Sequence, residues 1–537
     1  DCLFIEAGAL GDRYRIGVVR STENVQASDV QTVTLYVTGQ GVTQAQLPAA
    51  PARMEEFGLP PMSTRQEAAL RSAVALSEST ARVHARLRAE EEALVARLAG
   101  TAPLPTAAAA PVAALAVEAA ASPDKMVFDI STDSQCTTTA DKKKTGILVH
   151  ENDDIAFYQD STQRVTKPLP VGLAQQMANY YTAYSKAMVE AYWGPPTDID
   201  GNGKIVVFAS PVAADTVAAF VWSGDFFDKD AAPPNGCPAS NEMEVIYFNT
   251  DLILQMQGGD SYQALATLAH EAKHVVSLYN RIIASIRAGA SRYHPSWIEE
   301  GTAEISSELS SRIAWAATGG PAVGAKIKGE DFYPGGTADF NAQNWGVVLH
   351  LARTVWYLAS QPNGVVVTPN GADDGHSVYG SGWVFMRWLG DAYGGAGIMP
   401  QGDAALFRQM NDSLAAQGTA GILEATGKSF LTLLDEYVVA VMLHEIGAPQ
   451  PIRAFTTYDF LTATGIFTNP DPPGVFPWPV TTSGDNISKS FASAQYSGPI
   501  GSSGIRIHDL VSNGTGSGAQ LSLDMSPPGK VIVTRIR

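Results

Sequence analysis

Apolar and polar positions alternate from Tyr14 to Val18 and from Thr32 to Thr38, where Val33, Leu35 and Val37 share one face. Period two predicts half-buried strands. The period then changes. Ser63-Thr64-Arg65-Gln66 has the pattern of a capping box, and a long run rich in Ala, Leu, Arg and Glu follows it. Val83, Leu87, Leu94 and Leu98 fall on one helical stripe, which predicts a helix packed against a neighbour. Further on, Gly146 to Val149 and Ile155 to Tyr158 read as strands, Leu173 to Trp193 as a helix, and Lys204 to Ala209 as a buried strand. Helical periodicity dominates after Ser261. Near the end, alternation returns in Gly504–His508, Gln520–Met525 and Lys530–Arg537, with Ile505/Ile507, Leu521/Leu523 and Val531/Val533 on common faces.

The chain of 537 residues exceeds one ordinary core. The expected organisation is a β-rich segment at 1–50, a helical segment at 60–100 and an Ala/Pro-rich linker at 101–123. A main domain at 124–449 and a small β-sandwich at 450–537 follow. The expected class is a multidomain α+β protein.

Charge and cysteine content narrow the field. The formal net charge of -18 argues against a nucleic-acid partner. The most apolar stretch, Ala107 to Ala121, is broken by Pro111 and Glu118, so no transmembrane segment is expected. The chain begins at Asp1 and reads as a form whose signal peptide has been removed, hence secreted or at the cell surface. Cys2, Cys136 and Cys237 allow one disulfide in any of three pairings, and none lies in a Cys-x-x-Cys zinc pattern.

The chemistry concentrates at His270-Glu271-Ala272-Lys273-His274. Histidines four apart on a helix stand one turn apart on one face and can share a metal. Glu271 sits where a carboxylate reaches water at that metal without ligating it. Metzincins would need Gly at 277 and His at 280, but Ser277 and Asn280 stand there. Downstream comes Ser296-Trp297-Ile298-Glu299-Glu300-Gly301-Thr302-Ala303-Glu304. This segment resembles the second motif of the gluzincin metallopeptidases. The resemblance implies Glu300 as third zinc ligand and Glu304, one turn later, as the carboxylate that holds a ligand histidine.

Thr267-Leu268-Ala269-His270-Glu271 with His274, and Trp297-Ile298 with Glu300-Gly301 and Ala303-Glu304, resemble the hyicolysin family of bacterial extracellular metallopeptidases. Two upstream stretches agree: Asp198-Ile199-Asp200-Gly201-Asn202-Gly203-Lys204 and Ser240-Asn241-Glu242-Met243-Glu244-Val245-Ile246-Tyr247. The resemblance covers about residues 125 to 445 and implies a gluzincin-like catalytic domain, with a mixed-sheet subdomain and a helical one. Ala272 and Lys273 depart from the aromatic and Gln that the family often carries there.

The expected function is zinc-dependent hydrolysis of a protein or peptide substrate. His270, His274 and Glu300 hold Zn2+ and Glu271 is the general base. Tyr379 is the expected oxyanion donor, with His376 as the alternative. His294 and His350 read as ordinary helix or loop residues. Asp198, Asp200 and Asn202 match the first half of a Ca2+ loop, but its twelfth position is Ala209 rather than Glu. The competing expectation is a surface or assembly protein that keeps a metallopeptidase fold for structure or adhesion.

Overall fold

The computed structural model describes residues 2–39 except 7, 10 and 24–30; 64–98; 122–210; 217–229; 236–360 except 260 and 337; 376–394; 402–444 except 413–416; and 453–536 except 471–472, 476–488, 491–493, 513–517 and 526–528. The linker expected at 101–123 therefore falls, but for its last two residues, outside the described residues.

Three strands open the chain: β1 (Cys2–Ile5), β2 (Arg13–Arg20) and β3 (Gln31–Thr38). Helix α1 (Thr64–Leu98) follows. A six-stranded mixed sheet comes next, from β4 (Lys125–Asp129), β5 (Lys143–Glu151), β6 (Ile155–Asp160), β7 (Ile205–Ala209), β8 (Ala219–Val221) and β9 (Val245–Phe248). The helices that matter most are α2 (Gln263–Ala288), α3 (Ser296–Ala317), α4 (Trp345–Ser360), α5 (Gly382–Tyr393) and α6 (Phe430–Leu443). Five strands close the chain: β10 (Lys489–Ser490), β11 (Ala494–Ile500), β12 (Ile505–Val511), β13 (Ala519–Asp524) and β14 (Gly529–Arg535). The multidomain α+β class is thus met in its coarse form.

The two ends of the chain fold together. The sequence pattern separates a β-rich N-terminal segment from a C-terminal sandwich, whereas the strands interleave in two sheets, β1-β13-β3-β11 and β10-β12-β2-β14. Ile16, Val18, Val33, Leu35, Val37, Ile500 and Leu521 from both ends bury one another between these sheets. The reason is sheet edges. Three N-terminal strands alone would leave unpaired backbone on both sides, and the C-terminal strands satisfy it. The sandwich rests on α6. Arg15 Nη1 donates to the Met442 carbonyl at 2.7 Å, and a Cβ added at Gly17 would stand 2.8 Å from Met442 Sδ.

The large sheet runs β4-β5-β6-β7-β9-β8, so β8 is an edge strand, paired antiparallel to β9. Its inner strands β7 and β9 are wholly buried, which explains their continuous apolar runs. Cys136 and Cys237, 101 residues apart in sequence, form a buried disulfide.

Helix α1 packs on this domain. Leu70, Ala73, Val74, Ser77, Thr80, Ala81, His84, Leu87, Arg88, Glu91, Leu94, Val95 and Leu98 are all buried, at the three- and four-residue spacing of one helix face. The expected stripe is therefore present, but its middle is polar. We expect replacement of both Cys136 and Cys237 by Ala to lower the unfolding free energy by about 2–5 kcal/mol, given the long loop that the bridge closes. Denaturant titration checks this, and an unchanged midpoint would contradict it.

Candidate metal centre

Helix α2 carries His270 and His274 one turn apart, and both rings are buried. Helix α3 packs against it and begins just after Pro295, whose fixed φ suits a helix start. Gly301 lets α3 approach α5 closely: a Cβ built there would lie 3.1 Å from the Gly382 carbonyl oxygen. That contact also brings in Tyr379, in the helical turn immediately before α5.

Four side chains converge: His270, His274, Glu300 and His84, the last contributed by α1. Each histidine has one ring nitrogen tied to an acceptor outside the cluster. His270 Nδ1 lies 3.2 Å from Glu304 Oε1, and His274 Nδ1 lies 2.8 Å from Glu299 Oε1. His84 Nε2 lies 2.9 Å from the Ala219 carbonyl oxygen. A carbonyl or carboxylate oxygen can only accept, so these three nitrogens carry the protons. The other three nitrogens then offer bare lone pairs to the same point. His270 Nε2 is 3.1 Å from His274 Nε2 and 3.1 Å from Glu300 Oε2. His274 Nε2 is 3.4 Å and His84 Nδ1 3.1 Å from that same oxygen.

Imidazole nitrogens this close to each other and to a buried carboxylate need positive charge between them, supplied by a proton or by a metal ion. Ligands about 2.0–2.1 Å from a tetrahedral zinc ion stand roughly 3.3–3.4 Å from one another, close to the separations found here. The residues therefore fit a metal ion. The field agrees. Burial alone would lower the His270 pKa, but the Glu300 and Glu304 carboxylates outweigh it and raise it to about 10. Burial would raise Glu300, yet the facing His84 and His274 hold it well below the carboxylate range.

The supporting contacts assign the other acidic residues of α3. Glu299 accepts from Lys273 Nζ at 2.7 Å as well as from His274 and Ser277, so Lys273 is neutralised by Glu299 beside the centre. Glu304 meets Arg353 Nη1 at 2.8 Å and His350 Nε2 at 2.5 Å besides His270. His350 thus belongs to the support of the site, although its sequence context gave no sign of it. His294 is buried apart from the cluster, and burial with the charge of Arg281 holds it down at about 3.

Glu271 is buried, and its Oε2 meets no hydrogen-bond partner among the described residues. It borders a cavity of about 20 Å³ together with His270, His84, Tyr379 and Arg353. That is room for about one water. The Tyr379 hydroxyl oxygen lies 3.1 Å from His84 Nδ1. The side chain of His376, the alternative donor, lies outside the described residues.

His84 is the residue that sequence reasoning missed. Its signal was available: His84, Arg88 and Glu91 interrupt the apolar face of α1 at helical spacing. A His and two charged groups on a buried face require partners.

A second acidic group lies at the far end of the sheet. Asp198 and Asp200 meet Glu244, whose position just before β9 brings it beside their loop. Glu244 Oε1 accepts from the Ile199 N–H at 3.0 Å, while its buried Oε2 meets no hydrogen-bond partner among the described residues. Burial, aided by the charges of Asp200 and Asp198, pushes Glu244 well above the carboxylate range. Asn202, expected as a third member, instead closes the turn, donating to Asp200 Oδ2 at 2.7 Å and accepting from the Lys204 N–H. Ala209, the expected weak twelfth position, is buried inside β7.

No protein-family model and no curated protein matches the chain.

Because Glu304 fixes the His270 ring, Glu304→Gln is expected to weaken metal binding at this group roughly 10–100-fold. Competition with a chromophoric chelator measures this. An unaltered affinity would mean that Glu304 only serves Arg353 and His350.

Proposed function

We propose that the chain is a zinc-dependent peptidase of gluzincin type, secreted or displayed at the cell surface, acting on protein or peptide substrates. The convergence of His270 Nε2 and His274 Nε2 on Glu300, with Glu271 beside them, carries this reading. The hyicolysin-like assignment rests on the sequence motifs. The Cys136–Cys237 bridge favours an oxidising compartment.

His270, His274 and Glu300 would hold the ion. Zinc, when bound, supplies Lewis acidity that makes water and a substrate carbonyl reactive near neutral pH. Glu271 accepts the proton of the attacking water through its free Oε2 and passes it to the leaving amine as the C–N bond breaks. The Tyr379 hydroxyl can turn from His84 to the carbonyl oxygen as negative charge grows there. Glu304 and Glu299 keep the two imidazoles in the tautomer that binds metal.

A closed set of four protein ligands, His84 included, is the arrangement of a structural zinc, and it favours the second reading, a non-catalytic surface or assembly protein. Glu271 weighs against it. A buried carboxylate oxygen left unpaired is costly, and a structural site has no use for one.

The test uses chains that also carry His84→Ala, which removes the fourth side chain from the centre. Glu271→Gln is expected to keep stoichiometric zinc while casein hydrolysis falls by roughly 10²–10⁴-fold. Chelator abolishes the activity of the Glu271 chain. Stoichiometric zinc without hydrolysis in the Glu271 chain would leave the structural reading.

We also propose Ca2+ at Asp198, Asp200 and Glu244, with Glu244 supplying the buried carboxylate that the loop lacks at its twelfth position. Terbium luminescence titrated with calcium measures this binding. Glu244→Gln is expected to weaken it by roughly tenfold or more. Equal titrations for both chains would remove Glu244 from the site.

A further inference from the structure

The peptidase reading leaves α1 unexplained. A helix of 35 residues crosses the metal centre and buries five polar side chains to do so. Its contacts follow the edge of the large sheet. Thr80 Oγ1 accepts from the Ala218 N–H at 3.1 Å, and His84 Nε2 donates to the Ala219 carbonyl at 2.9 Å. Arg88 Nη2 reaches the Val221 carbonyl at 3.4 Å, and Glu91 Oε1 accepts from the Ser223 N–H at 2.9 Å. Four side chains in sequence thus take the outward backbone groups of β8 and its flanks. An edge strand beside a hydrolytic centre is where an extended peptide would pair, and here α1 occupies it.

The same helix reaches the ion's position. His84 Nδ1 points at Glu300 Oε2, its other nitrogen is fixed by Ala219, and Arg88 Nε stands 4.0 Å from Glu300 Oε1. The cavity that remains is about 20 Å³. It admits a water and excludes a peptide. Glu271 and Tyr379 border this cavity, so the groups assigned to catalysis are present but closed off.

We propose that α1 is an inhibitory strap and that His84 is a fourth protein ligand of the catalytic ion, so that the chain is latent until α1 is displaced. This rests on the metallopeptidase reading for the identity of the centre. It adds that one ligand is removable and competes with the substrate. An open position distinguishes catalytic zinc from structural zinc, and displacement of His84 is what would create it.

The test loads the full-length chain with Co2+ and follows its visible absorption on titration with azide, alongside hydrolysis of a quenched fluorescent peptide. The unsubstituted chain is expected to give a closed four-coordinate spectrum that azide does not change. His84→Ala is expected to shift the bands, to respond to azide, and to hydrolyse peptide at least about tenfold faster, because the competent fraction rises. An unsubstituted chain whose spectrum responds to azide overturns the proposal, and this outcome needs no variant. X-ray absorption on the zinc-loaded unsubstituted chain gives a second such check: three imidazoles support the strap and two overturn it. The two readings fail differently. If His84→Ala opens the site to azide but neither chain cuts peptide, the ligand assignment stands and the peptidase reading falls. If both chains cut peptide equally fast, the strap falls and the peptidase remains.

Discussion

Everything around the site follows from one electrostatic constraint: unprotonated imidazole nitrogens cannot face each other and a buried carboxylate unless something positive joins them. His270 Nε2 and His274 Nε2 stand 3.1 Å apart, and their outer nitrogens are committed to Glu304 and Glu299. Those outer contacts hold each ring in one orientation. They are also what pins α3 against α2. The geometry that makes a metal ligand and the geometry that packs two helices are the same contacts.

Helix α3 carries this further. Glu299, Glu300, Glu304 and Glu308 are all buried, an arrangement that would be ruinous without compensation. Each has its own. Glu299 has Lys273 and His274, Glu304 has Arg353 and His350, and Glu308 has Arg312 at 2.7 Å with hydrogen bonds from Trp383 and Tyr458. Glu300 differs. Its close partners are the three histidines whose free nitrogens face it, with the Arg88 guanidinium more distant at 4.0 Å. Among these four carboxylates, the one without a close permanent cation is the one that faces the three histidines.

Residues that act through local spacing were legible in the sequence. The four-residue step from His270 to His274 and the step from Glu300 to Glu304 are helical repeats, and helix geometry converts them directly into shared faces. The strands at both ends were legible too, because alternation is local. Their mutual pairing was not, since nothing in Val33 or Leu35 states that the partner strands begin at residue 494. His84 and Glu244 were missed for the same reason. Each enters its site from an element distant in sequence, and only the fold supplies the juxtaposition. His84 did leave a trace, a polar interruption of an apolar stripe. Glu244 left less, one acidic residue before a buried strand.

The distribution of polarity along α1 separates holding from blocking. Leu70, Ala73 and Val74 near one end, and Leu94, Val95 and Leu98 at the other, are buried apolar anchors. Burying each leucine contributes about 1.5–3 kcal/mol. Between them lie Ser77, Thr80, His84, Arg88 and Glu91, which touch the metal centre and the sheet edge. Hydrogen bonds of this kind contribute only about 0.5–1.5 kcal/mol each, because water offers the same groups an alternative. The ends of α1 therefore set how firmly the helix is docked, while its middle sets what the docking covers. A helix built only for stability would have carried Leu or Ala at 84, 88 and 91, where burial needs no partner. Polar groups at those positions hold the helix in one register over β8, and only that register brings His84 Nδ1 to Glu300.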